Sequence, residues 1–431
     1  MKWRKCVSPV ISPQKFGLIT ALLLQYESLT SLSDFELLLA KSQSFTWRQE
    51  PCIEYGSIQQ ALQGVAVEAA ELTEQAFLQH LLPWIARKAA EMGQLFPKPM
   101  AVSESGEAGT LVLTKVQEVC LMSAFFLCHL PLKHWHFRRD SCAQLKLISI
   151  IVYLYKQFQR ERVAPGALLD MCSLEINRRK LTEKKDPRFW LSLNMPLCAL
   201  RIEQALLIED HAEPCTRIDF ANEYIGGGTL SGGNVQEELY FAIHPELQLT
   251  MLFCQVMLWD EVIVVKGAER VTDYAGYGNT AHFKGIHRNS RPDQHVVVAM
   301  DAGVFLGRRY LQYEERGILR ELNKAYVGFQ RSPEHREAGP VVTGNWGCGA
   351  FGGDHQFKAC LQWMAAATAA GRELVYCCFK DKRMEGFEEF VRRMKGRTVT
   401  DLYRALLHRK VQKQLVSKEK PLFEVLSALR L

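Results

Sequence analysis

Two adjacent carboxylates follow a glycine-rich segment near the middle of the chain. In "IGGGTLSGGNVQEELYF" (225–241), Glu237 and Glu238 come directly before an apolar run. Glycine-rich backbone can bring amide groups close to an anion, whereas a carboxyl group is suited to transferring a proton. The combination predicts a ligand that is anionic in one part and undergoes acid chemistry in another.

The apolar run predicts a helix whose first turn carries both carboxylates. Asn234 is a suitable N-cap, and Glu237 three residues later completes the spacing of a capping box. Consecutive helical residues point about 100° apart, so we expect one glutamate to act as the acid while the other holds the substrate. A helix N-terminus favours the charged carboxylate, whereas burial and a neighbouring carboxylate favour the protonated form. The sequence leaves open which effect prevails.

A second glycine-rich loop, "TGNWGCGAFGGD" (343–354), precedes the helical pattern "HQFKACLQWMAAATAA". Glycines at the start of a helix let consecutive amides point at one phosphate oxygen. A single loop of this kind is equally consistent with a tight strand-to-helix connection. Two such loops in one domain favour a phosphate-bearing ligand.

The elements that must position these loops fall into two regions. Residues 1–197 are predicted to be a helical domain, with the charged segment 177–190 as a solvated loop. From residue 198 to 431, short apolar runs typical of buried strands (260–267, 294–302, 371–379 and a strand around 217–220) alternate with helical patterns (235–258, 353–370, 385–413). This alternation predicts an α/β domain whose sheet is covered on both faces, with the ligand on loops at the strand ends.

Composition narrows the function classes. The chain has 431 residues, 48% of them apolar, and a formal charge of +6, which suits a polyanionic partner without indicating one. No stretch approaches the ~20 apolar residues that cross a bilayer, and the first 26 residues are predicted to be a helix and not a signal peptide. The thirteen cysteines form no C-x-x-C pair, so we expect reduced cysteines in an intracellular protein. The histidines of "KHWHFRRD" (133–140) are expected to be solvated.

Several motifs together resemble the poly(ADP-ribose) glycohydrolase family. "DFAN" (219–222), "GGG" (226–228) and "QEE" (236–238) are similar to its signature. Further similar segments keep the family's order from about residue 80 to 410 ("LFPKPM", "VQEVCLMSAFFLCHLP", "DYAGY", "ELNKAYVGF", "GNWGCGAFGGD", "VYCCF"). The resemblance implies a macrodomain with a central mixed sheet flanked by helices, plus an N-terminal all-helical accessory domain.

The resemblance also implies an activity and its residues. The family cleaves ribose–ribose O-glycosidic bonds of poly(ADP-ribose), mainly from the free end, and releases ADP-ribose through an oxocarbenium-like species. Glu238 matches the acid that protonates the leaving ribose hydroxyl, Glu237 the residue that orients ribose hydroxyls, and Asp219 a third acidic residue. The positions that match substrate contacts are Ile208, Glu209, Asn222, Gly226, Gly227, Gly228, Gln236, Tyr277, Asn345, Trp346, Gly347, Cys348, Gly349, Ala350, Phe351 and Phe379.

The match assigns regions of the ligand to groups of these residues. Residues 345–350 match the loop beside the diphosphate, with Phe351 packing next to it, and residues 208–209 match the adenine edge. Tyr277 and Phe379 match aromatic contacts to the adenosine and ribose. Judged by residue type alone, Trp346, Cys348 and Phe379 fit packing roles equally well.

Two departures and two alternatives accompany this prediction. Lys380-Asp381 stands where the family commonly has Gly-Asp, and the segment 278–293 is diverged. The alternatives are a macrodomain that binds ADP-ribose without cutting it and a hydrolase of single ADP-ribose marks on proteins. The expected partners are poly(ADP-ribose) and poly(ADP-ribosyl)ated proteins. No membrane, metal, cofactor or direct nucleic-acid contact is expected. We expect a monomer in the nucleus or cytoplasm, connected with the DNA damage response.

Overall fold

The computed structural model describes residues 23–39 apart from 24 and 36, 55–127 apart from 99 and 101, 141–331 apart from 293, and 339–429 apart from 418 and 419. The expectation for 133–140 lies outside these residues, as does most of the helix predicted for the first 26.

An eight-stranded mixed sheet forms the centre of the fold. Its strand order is β1-β2-β5-β8-β4-β9-β10-β3, and β6 and β7 form a separate antiparallel hairpin. The strands are β1 (Gly109–Leu113), β2 (Leu174–Lys180), β3 (Leu200–Glu203), β4 (Cys215–Asp219), β5 (Glu261–Lys266), β6 (Thr272–Ala275), β7 (His282–Ile286), β8 (His295–Ala299), β9 (Val341–Gly344) and β10 (Leu374–Cys377). Strands β8, β4, β9, β10 and β3 run parallel, so their carboxyl ends meet at one edge.

The predicted alternation of helix and strand is confirmed, with boundary differences. The helices are α1 (Tyr55–Ala66), α2 (Glu74–Ala76), α3 (Leu82–Ala90), α4 (Met92–Leu95), α5 (Lys115–Phe126), α6 (Ser141–Val163), α7 (Pro187–Ser192), α8 (Gln236–Ile243), α9 (Thr250–Phe253), α10 (Glu315–Phe329), α11 (His355–Ala370), α12 (Phe387–Arg393), α13 (Val399–Leu407), α14 (Arg409–Ser417) and α15 (Leu422–Ser427). The single helix predicted over 235–258 is wrong. Pro245 lies just past the end of α8, where its ring cannot continue the hydrogen-bond ladder.

Both faces of the sheet are buried, as predicted. Successive side chains of a strand point to opposite faces: Ile263 and Val265 of β5 pack with the N-terminal helices, whereas Val262 and Val264 pack with the C-terminal helices. Because β4 pairs in register with β8, Arg217 and Asp219 lie on the same face as the N-terminal helices. The functional side chains of β4 are therefore enclosed between the two regions.

Residues 1–197 are not purely helical. Strands β1 and β2 extend the sheet, and β2 pairs antiparallel with β5. Residues 177–180, expected in a solvated loop, belong to β2, where the buried Arg178 forms an ion pair of 2.6 Å with Glu261. A charge run suggested solvent, but here the charge is paired inside the protein. The domain boundary at 197/198 stays a prediction.

Buried ionic contacts join the helical region to the loops of the sheet. Lys115, in the first turn of α5, contacts Glu118 at 2.6 Å and also Glu246. Glu118 in turn accepts a hydrogen bond from the amide of Leu174 at the start of β2. Within the described residues, none of the helices combines the length and the apolar character required to span a membrane.

Candidate active site

The predicted residues converge on one cavity of about 570 Å³ at the carboxyl ends of β4, β9 and β10. Sixteen of the predicted positions line it: Ile208, Glu209, Asn222, Gly227, Gly228, Gln236, Glu237, Glu238, Tyr277, Asn345, Gly347, Cys348, Gly349, Ala350, Phe351 and Phe379. Asp219, Gly226 and Trp346 lie behind this surface. Parallel strands bring their following loops to one edge, so segments distant in sequence form one site.

The carboxylates of Glu237 and Glu238 are each bound by two backbone amides. Glu237 accepts hydrogen bonds from the amides of Asn222 (2.9 Å) and Gly226 (2.6 Å). Glu238 accepts them from the amides of Gly228 (2.8 Å) and Val235 (3.0 Å). These four hydrogen bonds therefore fix both side chains at the start of α8.

The predicted capping arrangement is wrong by one residue. The N-cap of α8 is Val235, not Asn234, and Glu238 reaches back to the N-cap amide instead of Glu237. The side chain of Asn234 points elsewhere, to Asn279 at 2.5 Å. Since Glu237 is not used for capping, it is available to bond the loop that follows β4.

The first glycine loop serves the protein's own carboxylates. The amides of Gly226 and Gly228 donate to Glu237 and Glu238, and the amide of Gly227 donates to the carbonyl of Tyr224 at 3.0 Å. The expectation that these amides would be offered to an anionic ligand is therefore wrong. Glycine is required because Gly227 has φ +46° and a Cβ there would lie 2.5 Å from Glu237 Oε2.

Three acidic groups interact beneath the cavity. Asp219 is fully buried, and neither of its carboxyl oxygens has a hydrogen-bond partner among the described residues. Burial, followed by the charge of Glu238, raises the pKa of Asp219 well above its ordinary value. Burial, followed by the charges of Asp219 and Glu238, raises the pKa of Glu237, although its two amide bonds oppose the change. Interacting like charges of this kind favour a proton shared within the cluster.

Gln236 fixes α8 to the end of β4. Its side-chain oxygen accepts a hydrogen bond from the amide of Phe220 at 2.8 Å, and its side-chain nitrogen donates to the carbonyl of Ile218 at 3.3 Å. The two bonded residues, Ile218 and Phe220, flank Asp219 in the chain. Gln236 thus holds the start of the helix in register with the buried carboxyl.

The second glycine loop leaves amides available. The amides of Gly347, Gly349, Ala350 and Phe351 donate to no atom of the residues that the structure describes. The loop is closed by the amide of Gly353, which bonds the carbonyl of Gly347 at 2.9 Å, and α11 begins directly after it. Unpaired amides before a 16-residue helix are an arrangement that can bind an anion.

Trp346 supports this loop from below. Its side chain is fully buried, its indole N–H donates to the carbonyl of Met300 at 2.9 Å, and the ammonium of Lys358 lies 3.4 Å from its ring centre. The side chain is therefore part of the core, the packing role that its residue type also allowed, and a substrate contact at this position stays a prediction. Cys348 is also buried but does line the cavity.

An aromatic pair forms the rim. The ring centres of Tyr277 and Phe379 lie 5.2 Å apart with an interplanar angle of 53°, and their exposed fractions are 40% and 48%. Phe379 is therefore a rim residue and not core. Phe379 and Lys380 both have positive φ, 55° and 54°, which is costly for residues with a side chain.

The opposite end of the cavity is closed by Ile208 and Glu209. Glu209 is buried and accepts a hydrogen bond of 2.5 Å from the hydroxyl of Tyr274, and burial raises the pKa of Glu209. Tyr274 was not predicted from the sequence as a site residue, although it lies in the "DYAGY" segment. Other lining residues that were not predicted are Leu206, Leu207, Phe220, Val235, Gly344, His355, Cys377, Asp381 and Arg383.

The described residues contain no group of three or more side chains that could hold a metal ion. The expected independence from metal stays a prediction.

Comparison with known proteins agrees with this architecture. Residues 187–386 match the family model described as poly(ADP-ribose) glycohydrolase, Macro domain fold, and residues 69–164 match the helical domain of the same family. The fold is thus a macrodomain with a helical N-terminal domain. The chain belongs to the poly(ADP-ribose) glycohydrolase family, whose members are glycosyl hydrolases that act on poly(ADP-ribose).

Individual relatives support this membership. The chain is 31% identical over 370 residues to "Probable poly(ADP-ribose) glycohydrolase 2" of Arabidopsis thaliana, a match that covers 70% of this chain and 69% of the relative. It is 29% identical over 399 residues to "Poly(ADP-ribose) glycohydrolase 1" of the same plant (72% and 71% covered). It is 37% identical over 212 residues to a Caenorhabditis elegans "Poly(ADP-ribose) glycohydrolase 1" (45% and 27%).

Proposed function

We propose that this chain is a poly(ADP-ribose) glycohydrolase that uses general acid–base catalysis. The observation that carries the proposal is the arrangement of one cavity: Glu238, held by two amides, lies at one part of it, and the unpaired amides of the second glycine loop lie at another. A binding module needs only the second feature. Family membership supports the choice of substrate.

The proposed contacts follow from the chemistry of the lining. The unpaired amides of Gly347, Gly349, Ala350 and Phe351 bind the diphosphate, whose charge the start of α11 also favours. Tyr277 and Phe379 contact the adenosine and ribose from the rim, and Ile208 and Glu209 contact the adenine edge. Glu237 orients the hydroxyls of the terminal ribose.

In the proposed reaction, Glu238 gives up one proton and later receives one from water. Glu238 donates its proton to the bridging ribose oxygen as the bond to the anomeric carbon of the terminal ribose breaks, which leaves an oxocarbenium-like cation. Water then attacks this carbon and returns a proton to Glu238. Burial and like charge raise the pKa values of Asp219 and Glu237, so the acid cluster can hold the proton that the first step uses.

The finer features stay proposals as well. We propose cleavage mainly from the free end, a monomeric enzyme that needs no cofactor and no direct nucleic-acid contact, and poly(ADP-ribosyl)ated proteins as physiological substrates. The domain boundary at 197/198 and the compartment, nucleus or cytoplasm with a link to the DNA damage response, belong to the same set.

The experiment is incubation of the purified chain with poly(ADP-ribose), beside Glu238→Gln and the exposed control Glu315→Gln. We expect the parent and the control to release ADP-ribose. The rate for Glu238→Gln should fall by roughly 10²–10⁴, the usual contribution of a general acid, while ADP-ribose binding is retained. Equal turnover by the parent and Glu238→Gln would contradict the role of Glu238.

Two other outcomes identify the alternatives. Binding of ADP-ribose by the parent without release of product would indicate a non-hydrolytic macrodomain. Release from singly ADP-ribosylated protein, with the polymer left intact, would indicate a hydrolase of single marks.

A further inference from the structure

A second, larger cavity lies beside the proposed active site. Its volume is about 750 Å³, and it shares Leu207, Glu209 and Tyr274 with the first cavity. These three residues therefore form a wall between the two spaces. The volume lies within the range of about 300–1,000 Å³ that is usual for small-molecule sites.

Arg217 supplies a buried positive charge in this second cavity. Arg217 is 6% exposed. Its Nη2 donates a hydrogen bond to the carbonyl of His211 at 2.7 Å and lies 3.2 Å from His295 Nε2. Its Nε has no hydrogen-bond partner, and no carboxylate among the described residues pairs with it. A buried guanidinium without a paired anion is costly, so an anionic ligand beside Arg217 would be stabilised by this charge.

The acidic side chains that line the second cavity already have partners within the protein. Asp210 and Asp273 pair with Arg270 at 2.8 and 2.7 Å, and Glu209 accepts the Tyr274 hydroxyl. At the exposed mouth, Lys284 and Arg291 form no ion pair with any residue that the structure describes. The uncompensated charge of the cavity is therefore positive.

Tyr240 of α8 and His244, the residue that follows the helix, line the cavity beside Arg217. The hydroxyl of Tyr240 is buried and makes no hydrogen bond of strict geometry, but it lies close enough to the guanidinium of Arg217 to interact with it. His244 uses its Nδ1 to contact the carbonyl of Tyr240 at 3.0 Å. Burial and the charge of Arg217 lower the pKa of His244 well below its ordinary value and that of His295 to about 3. The contribution of Arg217 to both shifts indicates a positive potential at the two imidazole rings.

We propose that this second cavity binds a phosphate-bearing anion of nucleotide size, with Arg217 as its buried charge contact. Strand β4 and helix α8 each carry residues of this cavity and residues of the acid cluster. Asp219 follows Arg217 by two residues on the same face of β4, about 7 Å along the strand. Tyr240 follows Glu237 by one turn of α8. The ligand is either a free nucleotide or a second ADP-ribose unit of the same polymer, because both carry a diphosphate.

Calorimetric titration of the full chain with ADP-ribose, and separately with inorganic diphosphate, tests the site. We expect two ADP-ribose sites on the parent and on Arg188→Met, an exposed control with the same loss of charge. Arg217→Met should weaken the second site at least tenfold and leave the first unchanged. The double variant Lys284→Met/Arg291→Met changes only exposed side chains, so it provides the same test without altering the core. A single site on the parent, or unchanged affinity in both variants, would overturn the proposal.

A polymer arm, which rests on the proposed function, distinguishes the two ligand sources. In the Glu238→Gln background, the affinity for a dimer of ADP-ribose is compared with that for ADP-ribose. If Arg217→Met weakens dimer binding more than monomer binding at the first site, the ligand is the adjoining unit of the polymer. Equal effects assign the cavity to a free nucleotide. Failure of the proposed function appears separately, as absence of polymer turnover in the parent.

Discussion

Gly227 lies directly against the carboxylate of Glu237. A Cβ atom at Gly227 would be 2.5 Å from Glu237 Oε2 and 2.8 Å from Glu238 Oε1. The backbone there also has φ +46°, which disfavours any residue with a side chain. The glycine loop and the acid pair are therefore one structural unit.

Gly227→Ala should act on catalysis through the carboxylates. We expect it to displace Glu237 and Glu238, to lower turnover at least tenfold, and to reduce the free energy of unfolding by about 1–3 kcal/mol, because a strained φ and a steric overlap are combined. Gly349→Ala is the matched comparison, since a Cβ there would have no heavy atom of the described residues within 4 Å.

Gly349→Ala should leave stability unchanged and weaken ADP-ribose binding, because its Cβ lies beside the unpaired amides of the second loop. Steady-state kinetics, calorimetry and urea unfolding of both variants make the comparison. An unchanged turnover in Gly227→Ala, or unchanged ADP-ribose affinity in Gly349→Ala, would count against these separate roles.

Asp219→Asn should make stability less dependent on pH. Burial and Glu238 raise the pKa of Asp219 in the folded state above the unfolded value of about 3.9. Stability linked to this group is thus fully present below about pH 4 and is lost as pH rises toward the folded pKa. An asparagine side chain has no titratable proton, so this substitution removes the linkage. It also removes the charge of Asp219 that raises the pKa of Glu237.

The measurement is urea unfolding of the parent and Asp219→Asn at pH 5 and pH 8. We expect the unfolding free energy of the variant, relative to the parent, to be higher at pH 8 than at pH 5, while polymer hydrolysis is lost. A difference that is the same at both values would show that Asp219 does not titrate abnormally.

The sequence predicted which residues line the cavity better than it predicted the hydrogen bonds that those residues form. The motif positions identified sixteen lining residues, because parallel strands bring the loops after β4, β9 and β10 together. It did not show that the amides of Gly226 and Gly228 bind Glu237 and Glu238, since such bonds depend on how the loop folds back. Trp346 was ambiguous for the same reason: an indole in a glycine loop can face the ligand or the core.

The fold was predicted with a similar limit. Buried strands such as β5 and β8 were found from their continuous apolar runs. Part of β2 was missed because the strand carries Arg178, Arg179 and Lys180, and a charged side chain indicates solvent unless its partner is known. The partner of Arg178 is Glu261, more than eighty residues further along the chain. Single-sequence patterns contain no information on such pairings.

The aromatic rim should contribute to ligand affinity as a pair. Tyr277→Ala and Phe379→Ala should each weaken ADP-ribose binding roughly tenfold, since stacking of a base on an aromatic ring contributes about 1–3 kcal/mol. Because the rings are 5.2 Å apart, the double variant should lose less than the sum of the single losses. Tyr310→Ala, an exposed tyrosine outside the cavity, is the control and should bind normally; fully additive losses would indicate independent contacts.

Chelation should leave the activity intact. The proposed reaction uses only Glu238 and water, so polymer hydrolysis in the presence of excess EDTA should proceed at the untreated rate. Re-addition of Mg²⁺ or Zn²⁺ after dialysis is the control for an ion retained through purification. Loss of activity on chelation, with recovery on addition of one ion, would contradict the metal-free mechanism.

Lys380→Gly should stabilise the protein. Lys380 has φ +54°, a conformation that costs a residue with a Cβ roughly 1–2 kcal/mol and costs glycine almost nothing. Part of this gain is offset by the greater entropy of glycine in the unfolded chain, so we expect an increase of about 0.5–1 kcal/mol in the free energy of unfolding. Lys380→Ala is the matched control: it removes the same charge but keeps the strained φ, so its stability should stay close to that of the parent. Thermal and urea unfolding of the parent and the two variants measure these differences in stability. Equal stability of the Gly and Ala variants would show that the backbone at Lys380 relaxes away from the left-handed region.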